Sequence, residues 1–333
     1  MFVSLVLLVA SLVVLAVGAE LLVRGAVVIA KGVGVSSFFI GLTIVGFGTS
    51  TPELATGLNA ALNGLSDINM GNVVGSNIFN IALILGVTAV LSPIPVNTRV
   101  VRGEVWIVIL TSFIPFLAVF TSGRITRAEG LFMLAGLIVY LVRGYRLGRA
   151  ESESIGESVE QEIEAELAVA ASGWKNHVLV NLGIVVVGLV LLVFGSDLLV
   201  GSSVAIARMI GVSELVIALT IVAAGTSSPE LVTSLVAAYR KQSDISVGNI
   251  LGSNIFNILG ILGITCTIQP QHVSPQVLWV DTPLMIALSI ACLPIMMSHH
   301  RISRLEGFVL LAAYVVYLIA LFTVAPAWFP ARP

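Results

Sequence analysis

Apolar residues run along this chain in stretches of membrane-spanning length, separated by short polar or Gly/Pro-containing breaks. A bilayer core takes about 20 apolar helical residues per crossing and forces every backbone polar group into an internal hydrogen bond. The pattern therefore predicts helices at 3–30, 36–63, 67–90, 104–121 and 126–147, and again at 178–207, 213–239, 244–267, 280–297 and 303–325. The second set repeats the first. Residues 41–90 and 218–267 align without a gap at an offset of 177, with 30 of 50 positions identical. The same offset carries Glu20 onto Asp197, Glu104 onto Asp281, Arg127 onto Arg304, Glu129 onto Glu306 and Tyr140 onto Tyr317. An internal repeat of this kind decides the architecture before any local detail does. The expectation is an all-α membrane protein with ten transmembrane helices: a five-helix repeat at 1–148, an acidic linker at 149–175, and a second five-helix repeat at 176–326. Five crossings is an odd number, so the second repeat enters from the opposite face and the two repeats are inverted.

Composition sharpens this reading. Only 10% of residues are charged and 57% are hydrophobic, and seven of the 18 acidic residues fall between 151 and 166. A net charge of -2 gives no sign of a nucleic-acid partner. Cys266 and Cys292 lie in apolar segments without counterparts at the repeat-equivalent positions, and read as packing residues. The segment 2–22 lacks a basic leader and has an internal counterpart near Leu179, so a retained helix is expected rather than a signal peptide. Ten crossings place eleven Lys and Arg residues on the linker face (Lys31, Arg99, Arg102, Arg143, Arg146, Arg149, Lys175, Arg240, Lys241, Arg301 and Arg304). Only Arg124, Arg127, Arg208 and Arg332 fall on the terminal face. The positive-inside rule then puts the linker in the cytoplasm and both termini outside, in a plasma-membrane protein. The linker reads as a solvated tether or a short acidic helix, and it has no EF-hand spacing of ligands for calcium sensing.

Candidate chemistry sits in the repeated stretch. Thr49, Ser50 and Glu53 recur as Thr226, Ser227 and Glu230. Helical spacing places each glutamate beside its own Ser and Thr oxygens. Pro52 and Pro229 each remove a backbone hydrogen bond near the carbonyls of Gly48 and Gly225, which frees oxygens for a cation. An acid within a membrane helix is costly and marks a functional site unless it snorkels to water. The next helices carry GNVVGSNIFN and GNILGSNIFN, with Ser76 and Asn80 one turn apart, as are Ser253 and Asn257. Gly71 with Gly75 and Gly248 with Gly252 form small-residue faces for close helix packing. Together these are hard oxygen donors around two carboxylates, suited to Ca2+ or several Na+ ions rather than zinc, copper or iron. Two negative charges balance one divalent ion, two monovalent ions or two protons, which is the basis for exchange at one site. Glu20 lies one turn from Arg24 and reads as half of a local ion pair or as part of an ion path, with Gly201 opposite Asp197 in the second repeat. Asp67 and Asp244 read as helix caps or mouth residues.

The paired motifs GTSTPE with GNVVGSNIFN and GTSSPE with GNILGSNIFN resemble the two alpha-repeats of the cation/calcium exchanger superfamily, and within it the prokaryotic sodium/calcium exchangers. The resemblance covers nearly the whole chain. It implies ion ligands at the side chains of Thr49, Ser50, Glu53, Ser76 and Asn80 and of Thr226, Ser227, Glu230, Ser253 and Asn257, with backbone carbonyls at Gly46 and Ala223. Calcium itself falls to Glu53, Glu230, Thr49 and Thr226. The first and sixth helices are implied to slide across the core. Many sodium- or potassium-coupled relatives carry Asp where this chain has Asn257, whereas proton-coupled relatives usually replace the GSN motif. The expected function is an antiporter, not an enzyme, that exports Ca2+ against Na+ by alternating access. Its expected partners are Ca2+, Na+ and the lipid bilayer, with no cofactor and a monomeric form. A proton/calcium exchanger of the same fold, a calcium-permeable channel and an intramembrane hydrolase using the two glutamates are the rival readings.

Overall fold

A computed structural model describes residues 2–97, 101–170, 174–209, 223–297 and 300–323, and in them the apolar runs are helices. The first half contains α1 (Phe2–Val33), α2 (Ser37–Thr49), α3 (Thr51–Leu62), α4 (Ser66–Leu91), α5 (Gly103–Val119) and α6 (Arg127–Ala170). The second contains α7 (Trp174–Met209), α8 (Ala223–Thr226), α9 (Ser228–Tyr239), α10 (Ser243–Ile268), α11 (Val277–Met297) and α12 (Arg304–Thr323). Residues 213–222 of the predicted seventh helix, the opening of the 218–267 motif, linker residues 171–173, Arg99 and Arg332 lie outside the described residues. Among the described residues seven helices are long and apolar enough to cross a membrane, and α2 with α3 makes a further span bent by 47°.

That bend corrects the expectation of one continuous helix over 36–63. Pro52 has no N–H to continue the ladder and its ring crowds the carbonyl four residues back. Ser50 takes up the break with φ -79° and ψ 12°, and Ser227, two residues before Pro229, does the same with φ -88° and ψ 9°. Both α4 and α10 continue through their motifs, but each widens to π-helical geometry, over Phe79–Leu85 and Phe256–Leu262. α6 also runs on through the acidic segment to Ala170, where a tether or short helix was expected. Residues 151–170 are mostly Glu, Ala, Leu, Ile, Val, Gln and Ser, with no proline and one glycine, so local propensity favours continuing the helix.

Burial sorts the helices into a centre and a periphery. In the most apolar stretches of α4 and α10, 78% and 83% of residues are buried, against 22% in α1 and 11% in α12. The outer helices present Phe132, Leu305, Phe2 and many other large apolar side chains outward, a surface suited to lipid. Cys266 and Cys292 are buried, unpaired packing residues in the central cluster. A second apolar cluster joins α1 to α7 through Leu15, Ala19, Leu22, Val185 and Leu192.

Lipid is as apolar as leucine, so helices in it associate by close packing, and glycine permits the closest approach. A Cβ on Gly252 would stand 2.1 Å from the Leu42 carbonyl oxygen, and one on Gly248 2.7 Å from that of Phe38, so α2 lies directly on α10. For the counterpart face at Gly71 and Gly75, no atom of the described residues comes within 4 Å. The halves also clasp each other reciprocally. Gly86 of α4 meets Gly307 of α12, and Gly263 of α10 meets Gly130 of α6. Two-residue strands join the same way: β1 (Ile94–Pro95) pairs antiparallel with β4 (Arg301–Ile302), and β2 (Arg124–Ile125) with β3 (Gln271–His272). Each contact maps onto the other when the halves are exchanged at the 177-residue offset.

Gly252→Ala is expected to abolish the monodisperse peak of detergent-solubilised protein in size-exclusion chromatography, because the new methyl overlaps backbone. Gly183→Ala, at an exposed position with no atom within 4 Å, should leave that peak intact.

Candidate functional site

The breaks at Ser50 and Ser227 place Glu53 and Glu230 in the first turns of α3 and α9, each one residue after the helix-starting proline. A helix N-terminus carries unpaired N–H groups and the positive end of the helix dipole, which favour a carboxylate there. Each glutamate is 1% exposed. The hydroxyls then cross between halves: Ser50 Oγ donates to Glu230 Oε1 at 2.8 Å, and Ser227 Oγ donates to Glu53 Oε1 at 2.7 Å. Helical spacing alone pairs each glutamate with its own serine. The break turns the serine away from its own glutamate, and the fold supplies the one from the other half. Among the described residues, the second oxygens, Glu53 Oε2 and Glu230 Oε2, are buried without a hydrogen-bond partner.

Of the remaining motif oxygens, Ser76 reaches this crossing directly. Ser76 Oγ, from α4, lies 3.3 Å from Ser227 Oγ. Ser253 Oγ, from α10, donates to the Gly46 carbonyl at 3.1 Å, and Thr49 Oγ1 lies 3.3 Å from the same carbonyl. Ala223 and Thr226 are carried by α8, the short helix leading into the second break. Asn80 and Asn257 sit in the π-helical segments, both 1% exposed, with buried Oδ1 atoms that have no partner among the described residues. The structure thus brings together Ser50 with Glu230, Ser227 with Glu53 and Ser76, and Thr49 with Ser253 at Gly46.

Two expected donors are engaged elsewhere. The Gly48 carbonyl accepts from Thr51 Oγ1 at 2.7 Å, and the Gly225 carbonyl accepts from Ser228 Oγ at 2.7 Å and Ser196 Oγ at 2.6 Å. Hydroxyls one turn on, and one from α7, replace the amide that proline lacks, so these carbonyls are not left without partners. Asp67 and Asp244 are exposed in the first turns of α4 and α10, while the N-cap positions fall on Leu65 and Gln242, which make no side-chain cap. Glu20 does accept from Arg24, as expected of a local pair, and also from Arg240 of the second half.

Sequence reasoning passed over Asn72 and Asn249. Asn72 Nδ2 donates to the Glu53 carbonyl at 3.1 Å, and Asn249 Nδ2 to the Glu230 carbonyl at 3.2 Å. Asn249 also accepts from Thr49 Oγ1 at 3.0 Å and donates to Ser234 Oγ at 2.8 Å. These asparagines pin the glutamate-bearing turns to α4 and α10. The repeated Gly-Asn at 71–72 and 248–249 was the available signal.

The chain matches the sodium/calcium exchanger protein family over residues 3–145 and 180–323. It is 33% identical over 316 residues to the sodium/calcium exchanger MaX1 of Methanosarcina acetivorans, spanning 86% of this chain and 89% of that one. CaxA of Alkalimonas amylolytica is 38% identical over 291 residues, spanning 86% of this chain and 89% of its own. Among solved structures, the sodium-calcium exchanger NCX_Mj superposes with a TM-score of 0.79 at 30% identity, covering 95% of this chain and 97% of that one.

Asn249→Ala removes three hydrogen bonds and Asn72→Ala one. We expect losses of about 3 kcal/mol and about 1 kcal/mol respectively, read as a larger fall in melting temperature for Asn249→Ala in detergent.

Proposed function

Because this chain belongs to the sodium/calcium exchanger protein family, we propose that it is a secondary-active antiporter that exports Ca2+ in exchange for Na+. The exchange proceeds by alternating access at a site built on Glu53 and Glu230. The observation that carries this reading is the crossed pair of buried carboxylates, each with one oxygen held by the opposite half's serine and one without a partner among the described residues. Two carboxylates neutralise one Ca2+, and the surrounding donors are hard oxygens of the kind Ca2+ and Na+ take. In our reading Glu53, Glu230, Thr49 and Thr226 hold calcium. Ser50, Ser76, Asn80, Ser227, Ser253, Asn257 and the carbonyls of Gly46 and Ala223 complete the set for sodium. No covalent step and no cofactor is required. Coupling follows if the occupied site favours switching between two access states and the empty site does not.

The architecture we propose is ten spans in two inverted repeats within one monomer. Residues related by the 177-residue offset meet each other, as expected around a pseudo-twofold axis: Ser112 Oγ lies 3.0 Å from Ser289 Oγ, and Asn77 donates to the Asn254 carbonyl at 3.2 Å. Inverted repeats in transporters bind ions near the midplane, at broken helices. The α1/α7 pair is the element we assign to sliding. Its Leu189 and Val200 side chains press on Gly48 and Gly225, beside the two breaks, so a shift of the pair acts directly on the site. The excess of Lys and Arg on the linker face supports our assignment of both termini to the outside of the plasma membrane and of the linker to the cytoplasm.

In proteoliposomes loaded with Na+ and diluted into Na+-free medium, radioactive Ca2+ uptake is expected, and Glu53→Gln or Glu230→Gln should reduce it to background. Uptake driven by a pH gradient alone would instead assign the protein to proton/calcium exchange, and uptake without any counter-ion gradient would make it a channel. For topology, a cysteine introduced at Ser154 should react with a membrane-impermeant maleimide in inside-out vesicles but not in intact cells.

A further inference from the structure

The GSN motif contains a second asparagine that the ion site does not use. Asn77 and Asn254, like Asn80 and Asn257, are each 1% exposed and related by the repeat offset. Their bonds cross between α4 and α10. Asn257 Nδ2 donates to Asn77 Oδ1 at 3.0 Å, and Asn80 Nδ2 donates to Asn254 Oδ1 at 3.0 Å. Asn77 is itself fixed, since its Nδ2 donates to the Asn254 backbone carbonyl at 3.2 Å. At the other end of each held amide, Asn80 Oδ1 and Asn257 Oδ1 are buried without a partner among the described residues.

A primary amide offers an acceptor on one side and two donors on the other, and the two orientations have nearly the same shape. Left unanchored beside a cation site, it could present either end, and the NH2 end would repel the ion. We propose that Asn77 and Asn254 are positioning residues that hold Asn257 and Asn80 with their oxygens toward the ion site. The inference rests on the site reading given above. Flipping Asn257 would set its Oδ1 against the fixed Asn77 Oδ1, acceptor against acceptor, while Asn80 is held through its donation to Asn254 Oδ1. Asn77 thereby also sets specificity at position 257. Its oxygen needs a donor there, which an amide or a protonated acid supplies and a carboxylate does not. This keeps the site at two negative charges, those of Glu53 and Glu230, and accounts for Asn at 257 in this chain.

The test is isothermal titration calorimetry of Ca2+ into the purified full-length protein, with melting temperature measured in parallel. Asn77→Ala and Asn254→Ala are expected to weaken Ca2+ binding about 10-fold to 100-fold, the usual cost of losing a group that orients a metal ligand. Asn77→Ala should add nothing further in an Asn257→Ala background but its full effect in an Asn80→Ala background, a pattern that general loosening would not produce. Asn254→Asp keeps the acceptor for Asn80 and gives up only an NH2 that has no partner among the described residues, so it should bind Ca2+ at least as well as the parent. The control is Asn69→Ala, whose amide bridges α4 to Thr265 and Gln271. It should lower the melting temperature and leave Ca2+ affinity unchanged. Parental affinity in Asn77→Ala and Asn254→Ala, or full additivity of Asn77→Ala with Asn257→Ala, would overturn the proposal while leaving the site reading standing. If Asn77→Ala fails to fold, Asn254→Ala against Asn254→Asp carries the same decision. Unchanged Ca2+ binding in Glu53→Gln, Glu230→Gln, Asn80→Ala and Asn257→Ala would instead remove the site reading, and this inference with it.

Discussion

Burying two glutamates inside a bundle that faces lipid is the constraint around which this molecule is built. Taking one carboxylate out of water costs several kcal/mol even after the surroundings relax, and there are two. Each break at a proline answers part of that cost by creating a helix N-terminus where the carboxylate stands. A serine from the other half answers another part with a short hydrogen bond, and an asparagine ties down the carbonyl of the same turn. One oxygen of each glutamate remains without a partner among the described residues, and a cation can satisfy that residual demand.

The crossing of hydroxyls makes the site a property of both halves at once. Neither half holds its own glutamate through its own serine, so this crossed arrangement exists only when the two halves are brought together. The packing enforces this. Gly86 with Gly307 and Gly130 with Gly263 lock the last helix of each half onto the central helix of the other, and the paired strands at 94–95 and 301–302 and at 124–125 and 271–272 fasten the same partners. Glycine matters at these points because backbones meet there without intervening side chains. Against this clasped core, α1 and α7 pack mainly on one another through their own apolar cluster.

Much of this was legible from residue order. The 177-residue repeat and the apolar runs follow from the sequence, because repetition and hydropathy are one-dimensional properties. The oxygen-rich motifs with their two acids were equally plain, since acids are rare in such segments and these recur in register. The close approach at Gly248 and Gly252 was also readable, as small residues four apart mark one helix face.

What the chain order could not supply is which atoms meet across the repeat. Helical spacing assigned Ser50 to Glu53, but the bend at Ser50 redirected it to Glu230. Proline was read as freeing the carbonyls of Gly48 and Gly225, yet Thr51 and Ser228 reach them from just beyond each break and Ser196 from α7. Asn72 and Asn249 find their partners on α3 and α9, and Asn77 and Asn254 find theirs only where α4 crosses α10. The sequence by itself determined which residues exist in duplicate and which segments enter lipid. Tertiary structure alone decided how the duplicates pair, because a hydrogen bond between residues about 180 positions apart depends on helix axes and breaks, which no local pattern encodes.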